Sequence, residues 1–82
     1  MATANVSLQI IPCVDENEIY PIVDKVIDLI AKSGIKHVVG PMETTMEGEL
    51  HQLLEIVKRA QDICIAEGVE RVLTMVKIDY KR

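Results

Sequence analysis

Groups able to do chemistry concentrate in one run of this chain, Val39-Gly40-Pro41-Met42-Glu43-Thr44-Thr45-Met46-Glu47-Gly48-Glu49. It holds two hydroxyls and three carboxylates between an apolar approach and an amphipathic stretch. Threonines beside a carboxylate and a flexible glycine suit a small-molecule pocket at a helix N-terminus, where backbone N–H groups lack partners. The same residues also suit plainer roles: Thr44 and Thr45 as ordinary strand residues, Glu47 as a complement to the helix dipole, Gly48 as a relaxed strand-to-helix turn. No catalytic residue is assigned. The two histidines, His37 and His51, fall on different predicted elements, neither with a placed partner for proton transfer. His51 and Glu55 stand one helical turn apart, a spacing that suits a solvated pair better than a metal. Cys13 and Cys64 form no CxxC or Cys/His pattern, so both read as reduced core residues, with no disulfide and no zinc.

The elements that must carry this run follow from periodicity. Val6, Leu8 and Ile10 alternate with Ser7 and Gln9, which predicts a half-buried strand over Asn5 to Cys13. Ile19, Ile22, Val23, Val26, Ile27 and Ile30 recur at helical spacing, with an N-cap near Asn17 and Gly34 as the closing residue. Lys36 to Gly40 and Glu43 to Met46 read as two short strands broken around Pro41. From Glu49 a second helix places Leu50, Leu53, Leu54, Val57, Ala60 and Cys64 on one face, and Gly68 ends it. Val69 to Tyr80 forms the last strand, apolar on both faces over much of its length. Such a strand is usually covered on both sides, so a second subunit is expected on the sheet face the helices leave open.

The order βαββαβ with right-handed crossovers predicts an α+β fold, a ferredoxin-like plait with a four-stranded antiparallel sheet and two helices on one face. The 82 residues read as a single domain with a modest core. Apolar residues make up 49% of the chain, yet there is no Trp or Phe and only two Tyr, so that core is aliphatic. The net charge of −4 disfavours a phosphate-backbone partner. The expected first and third strands also lack the aromatics on which plaits of this kind stack RNA bases. No apolar run approaches a membrane span and no signal peptide is evident, so the chain reads as cytoplasmic, with no membrane and no nucleic-acid partner.

Ile10-Ile11-Pro12, Ser33-Gly34, the central run Gly40-Pro41-Met42-Glu43-Thr44-Thr45-Met46-Glu47-Gly48-Glu49 and the closing Val76-Lys77-Ile78-Asp79-Tyr80 together resemble the small thiamine-binding proteins, including the YkoF-like ones. The resemblance implies a non-catalytic binder of thiamine or its hydroxymethylpyrimidine portion, needing no other cofactor and working as a homodimer or homotetramer. An aminopyrimidine presents a ring-nitrogen acceptor beside an amine donor, and Glu47 with Thr44 is expected to satisfy both. Met42 is a candidate to sandwich the ring, Thr45 to line the site, and Gln9 to contribute from the first strand. A regulatory module of the amino-acid-sensing type and a purely structural oligomer are the alternatives.

Overall fold

The computed structural model describes residues 3–81. In chain order it places β1 at Thr3–Pro12, α1 at Glu16–Lys32, β2 at Lys36–Val39, β3 at Thr44–Gly48, α2 at Leu50–Ala66 and β4 at Val72–Lys81. The four strands form one sheet in the order β2-β3-β1-β4, and every neighbouring pair is antiparallel. This is the ferredoxin-like plait. Among the described residues no helix is long and apolar enough to cross a membrane.

The alternation seen in the sequence sets the faces of the sheet. Ala4, Val6 and Leu8 of β1 and Met46 of β3 point toward the helices and are buried, while Asn5 and Thr45 between them point away. Against these pack Ile22, Val26 and Ile30 of α1 and Leu53, Ile56, Val57, Ala60 and Cys64 of α2. The core is aliphatic throughout, as the composition requires. On the uncovered face Leu73, Met75 and Val38 remain exposed.

Several boundaries differ from the sequence reading, each for a local reason. Helix α1 starts at Glu16 after Asp15, two residues before the expected N-cap. Pro21 therefore sits within the helix and leaves the Asn17 carbonyl without its usual intrahelical donor, a loss that water can make good because Asn17 is exposed. On α2 the inward residue is Ile56, not Leu54: positions 53, 56, 57, 60 and 64 trace one stripe, and Leu54 is turned about 100° away from Leu53. Strand β4 begins at Val72 because the preceding segment completes a Schellman cap. Gly68, at φ +89°, donates to the Ile65 carbonyl at 3.0 Å, and Val69 donates to the Cys64 carbonyl at 3.2 Å, which folds the Val69 side chain back into the core. Cys64 is a core residue as expected, and burial pushes its thiol pKa up, away from reactivity. Cys13 is not a core residue: one position past β1, it is exposed.

The stripe on α2 makes a direct comparison available. Leu53→Ala should lower unfolding free energy by about 2–5 kcal/mol in urea titration, because it empties a fully buried site, whereas Leu54→Ala should cost less than about 1 kcal/mol. Equal losses at the two positions would show that the helix is rotated from the phase described.

Candidate functional site

The strands flanking β1 differ in reach, and the difference opens a cleft. Strand β1 pairs with β4 over its whole length, from Thr3↔Lys81 to Pro12↔Val72. Strand β3 pairs with it only from Ala4↔Gly48 to Leu8↔Thr44. From Gln9 to Pro12, β1 therefore has a ladder on one side and none on the other. Alternate residues of a strand turn their N–H and C=O toward the same edge, so this stretch offers backbone donors and acceptors to whatever fills the gap.

Helix α1 covers the gap with Val23, Val26, Ile27 and Ile30, and the segment from Val39 to Glu43 closes its end. The cleft holds about 160 Å³ and is lined mainly by aliphatic residues; Gln9, Glu43 and Thr44 are its polar lining residues, and of these Thr44 turns its side chain to the helix side. Pockets for drug-sized molecules run to roughly 300–1,000 Å³. This one is sized for a single ring, with any further part of a ligand left outside.

The closing segment is fixed by Gly40. Its N–H donates to the Glu43 carbonyl at 2.8 Å, and a β-carbon there would stand 2.9 Å from the same oxygen. Only a residue without a side chain fits, so the turn sets Met42 at the rim, 71% exposed, and Glu43 at the mouth. The Glu43 carboxylate lies 3.9 Å from the Lys77 ammonium, a solvent-exposed pairing that a competing cation can displace at little cost.

The residues expected to form one site divide between two faces of the sheet. Thr44 is buried at 7% exposure and lines the cleft and Met42 stands at its rim, whereas Gln9, opposed to Met75 and in phase with Asn5, lines the cleft with its backbone and turns its side chain away from the helices. Thr45 and Glu47 point to the other face. Strand β3 runs Thr44–Gly48 instead of the expected Glu43–Met46, and within it residues 44 and 47 are an odd number of positions apart. In a strand that separation puts side chains on opposite faces, so Thr44 and Glu47 cannot grip one ring together. Glu47 sits in the pair Lys36↔Glu47 and lies 3.3 Å from the Lys36 ammonium, both exposed. It does not open the second helix either. That role belongs to Glu49, whose carboxylate accepts the His51 backbone N–H at 3.1 Å.

Glu43, one of the three carboxylates of the central run, is the acidic residue that lines the cleft, although its carboxylate turns toward Lys77 on the uncovered face. Two signals pointed to it: the Gly40-Pro41 break that ends β2, and an apolar β1 running through Ile10, Ile11 and Pro12 beyond the reach of so short a partner strand. His37 is half-buried on β2, its Nδ1 3.0 Å from the Ile35 carbonyl, and His51 is exposed on α2. Among the described residues no three histidine, cysteine or acidic side chains converge as a metal site.

The architecture defines the class: a small ferredoxin-like α+β domain with a one-ring cleft between its first helix and an unpaired stretch of its first strand. Within that class the chain belongs to the thiamine-binding protein family, whose model matches residues 6–82. A UPF0045 protein of Clostridium perfringens is 60% identical over 82 residues, spanning 100% of this chain and 86% of that one. The solved structure of a domain of unknown function from Bacillus cereus superposes with a TM-score of 0.89 at 43% identity, over 96% of this chain and 76% of that one. A Thermotoga maritima protein described as a candidate for thiamine biosynthesis or salvage gives 0.88 at 30% identity, over 96% and 84%.

Because the turn at Gly40 holds the cleft's end in place, Gly40→Ala should cost about 1–3 kcal/mol in chemical denaturation while leaving the far-UV circular dichroism of the folded protein unchanged. A variant as stable as the native chain would mean that the turn yields freely and does not define the cleft.

Proposed function

We propose that this protein binds thiamine, or its hydroxymethylpyrimidine portion, without transforming it, and that the pyrimidine ring occupies the cleft beneath α1. The supporting observation is the unpaired β1 stretch from Gln9 to Pro12. An aminopyrimidine edge carries an acceptor nitrogen beside an amine donor, and a strand edge carries N–H and C=O groups that complement that pair. The ring faces then meet Val23, Ile27 and the aliphatic side chains of β1, and Met42 at the rim can fold over the exposed side. Glu43, whose carboxylate faces Lys77 beyond the cleft, attracts the thiazolium cation, which the small volume leaves outside.

Magnitudes agree with a modest binder. Two neutral hydrogen bonds at about 1 kcal/mol each, one charge-assisted bond near 2 and ring burial worth about 2–3 contribute roughly 6–7 kcal/mol, from which the ligand's lost translational and rotational freedom, about 4 kcal/mol or more, is subtracted. Gln9, Glu43 and Thr44 include no nucleophile paired with a base, which supports a binding role over a catalytic one. An amino-acid ligand fits less well, because no lysine or arginine lines the cleft to meet its carboxylate.

Isothermal calorimetry with thiamine and with hydroxymethylpyrimidine tests this. Glu43→Gln should weaken thiamine binding about tenfold, the loss of a charge-assisted contact with the cation, and Glu47→Gln should leave it unchanged. Absence of binding by the native protein would overturn the ligand assignment. Loss on changing Glu47 with none on changing Glu43 would move the site to the other face of the sheet.

A further inference from the structure

The cleft beneath α1 has a counterpart on the uncovered face of the sheet. A pocket of about 380 Å³ lies there, lined by Ser7, Gln9, Glu43, Met75, Val76 and Lys77. Ser7 opposes Lys77 and Gln9 opposes Met75 in the β1–β4 ladder, so these four side chains share the face that the helices leave open. Gln9 and Glu43 line both cavities. They also mark the place where the sheet ceases to be closed, because the last pair between β1 and β3 is Leu8↔Thr44 and the ladder does not continue to the next position on each side, Gln9 and Glu43. The two cavities therefore flank one gap in the sheet.

We infer that thiamine is bound across the sheet, with its methylene bridge passing beside Gln9 and Glu43 and its thiazolium ring held in the pocket on the uncovered face. The inference rests on the reading that the pyrimidine ring occupies the cleft. Charge decides which way the second ring goes. Glu43 is the one carboxylate among the residues lining either cavity, and its carboxylate lies 3.9 Å from Lys77 on the uncovered face. A thiazolium there takes the place of the Lys77 ammonium, which is exposed and returns to water at little cost. A ring that instead left the cleft past its rim would meet Val39, Pro41 and Met42, with no carboxylate turned toward it. The other side chains of the pocket match the rest of the ring. Met75, 47% exposed, offers a polarisable thioether to its face, and the Ser7 hydroxyl and Gln9 amide offer donors and acceptors to its hydroxyethyl arm. The pocket is thus a specificity site: it favours thiamine over the free pyrimidine, which reaches only the cleft.

Calorimetry with thiamine and with hydroxymethylpyrimidine separates this inference from the reading it rests on, because only thiamine carries the second ring. The smaller ligand reports on the cleft alone, which Met75 and Lys77 do not line. The native protein should bind thiamine roughly fivefold or more tighter than hydroxymethylpyrimidine. Met75→Lys, which sets an ammonium beside the thiazolium, should weaken thiamine binding about tenfold or more and leave hydroxymethylpyrimidine within about twofold of native. Lys77→Gln, which frees Glu43 of its competitor, should tighten thiamine binding about threefold with the same small effect on the other ligand. A second measurement uses the native protein and does not depend on how a variant folds. In nuclear Overhauser spectra of the thiamine complex, the thiazolium methyl group should show contacts to the Met75 methyl. Thiamine bound no tighter than hydroxymethylpyrimidine, equal changes for the two ligands in the variants, or thiazolium contacts to Met42 in place of Met75 would each overturn this inference while leaving the pyrimidine in the cleft. Binding of neither ligand would overturn both.

Discussion

The binding site proposed for this protein depends on a mismatch of strand length. Strand β1 has ten residues and its inner neighbour β3 has five, so one edge of β1 goes unpaired from Gln9 to Pro12, at a place that α1 still covers. An exposed strand edge would simply be hydrated, and a fully paired one would leave no room. The combination here is a strip of backbone hydrogen-bonding groups walled by aliphatic side chains, where water is poorly matched and a flat, polar-edged ring is well matched. The absence of Trp and Phe matters to this geometry. Tyr20 and Tyr80 are exposed and neither lines the cleft, so no aromatic side chain fills the gap or stacks in a ligand's place.

The turn between β2 and β3 fixes where the gap ends. Gly40 is the one glycine whose missing side chain is required by close contact, and the contact is with the carbonyl of Glu43, the residue that brings negative charge to the mouth. Local backbone geometry and site electrostatics are therefore set by the same four residues. Lys77 of β4 holds the Glu43 carboxylate only loosely, on the uncovered face of the sheet.

Much of this was legible in the sequence. The alternation of Val6, Leu8 and Ile10, the helical spacing from Ile19 to Ile30 and the closing glycines Gly34 and Gly68 gave the elements in their correct order, and the order implied the plait. The core faces followed wherever periodicity was unambiguous. The phase of β3 did not follow. A short strand built around Thr44 and Thr45 can begin at Glu43 or at Thr44, and a shift of one position in its register exchanges every side chain between the faces. The pairing of Thr44 with Glu47 was nevertheless excluded by parity alone, whichever residue began the strand. The cleft itself was not legible, because it arises from how far two non-adjacent segments overlap, which local propensity does not encode. Leu54 and Ile56 show the same limit on α2, where two apolar residues compete for one place in the stripe and only packing decides.

The most direct measurement is a titration of ¹⁵N-labelled protein with hydroxymethylpyrimidine, followed by the backbone amide resonances. The expected result is that the amides of Gln9, Ile10, Ile11 and Glu43 shift together as the ligand is added, while those of Lys36 and Glu47 stay in place. Shifts confined to Lys36, Thr45 and Glu47, or none anywhere, would contradict the claim that the unpaired edge of β1 is the binding site.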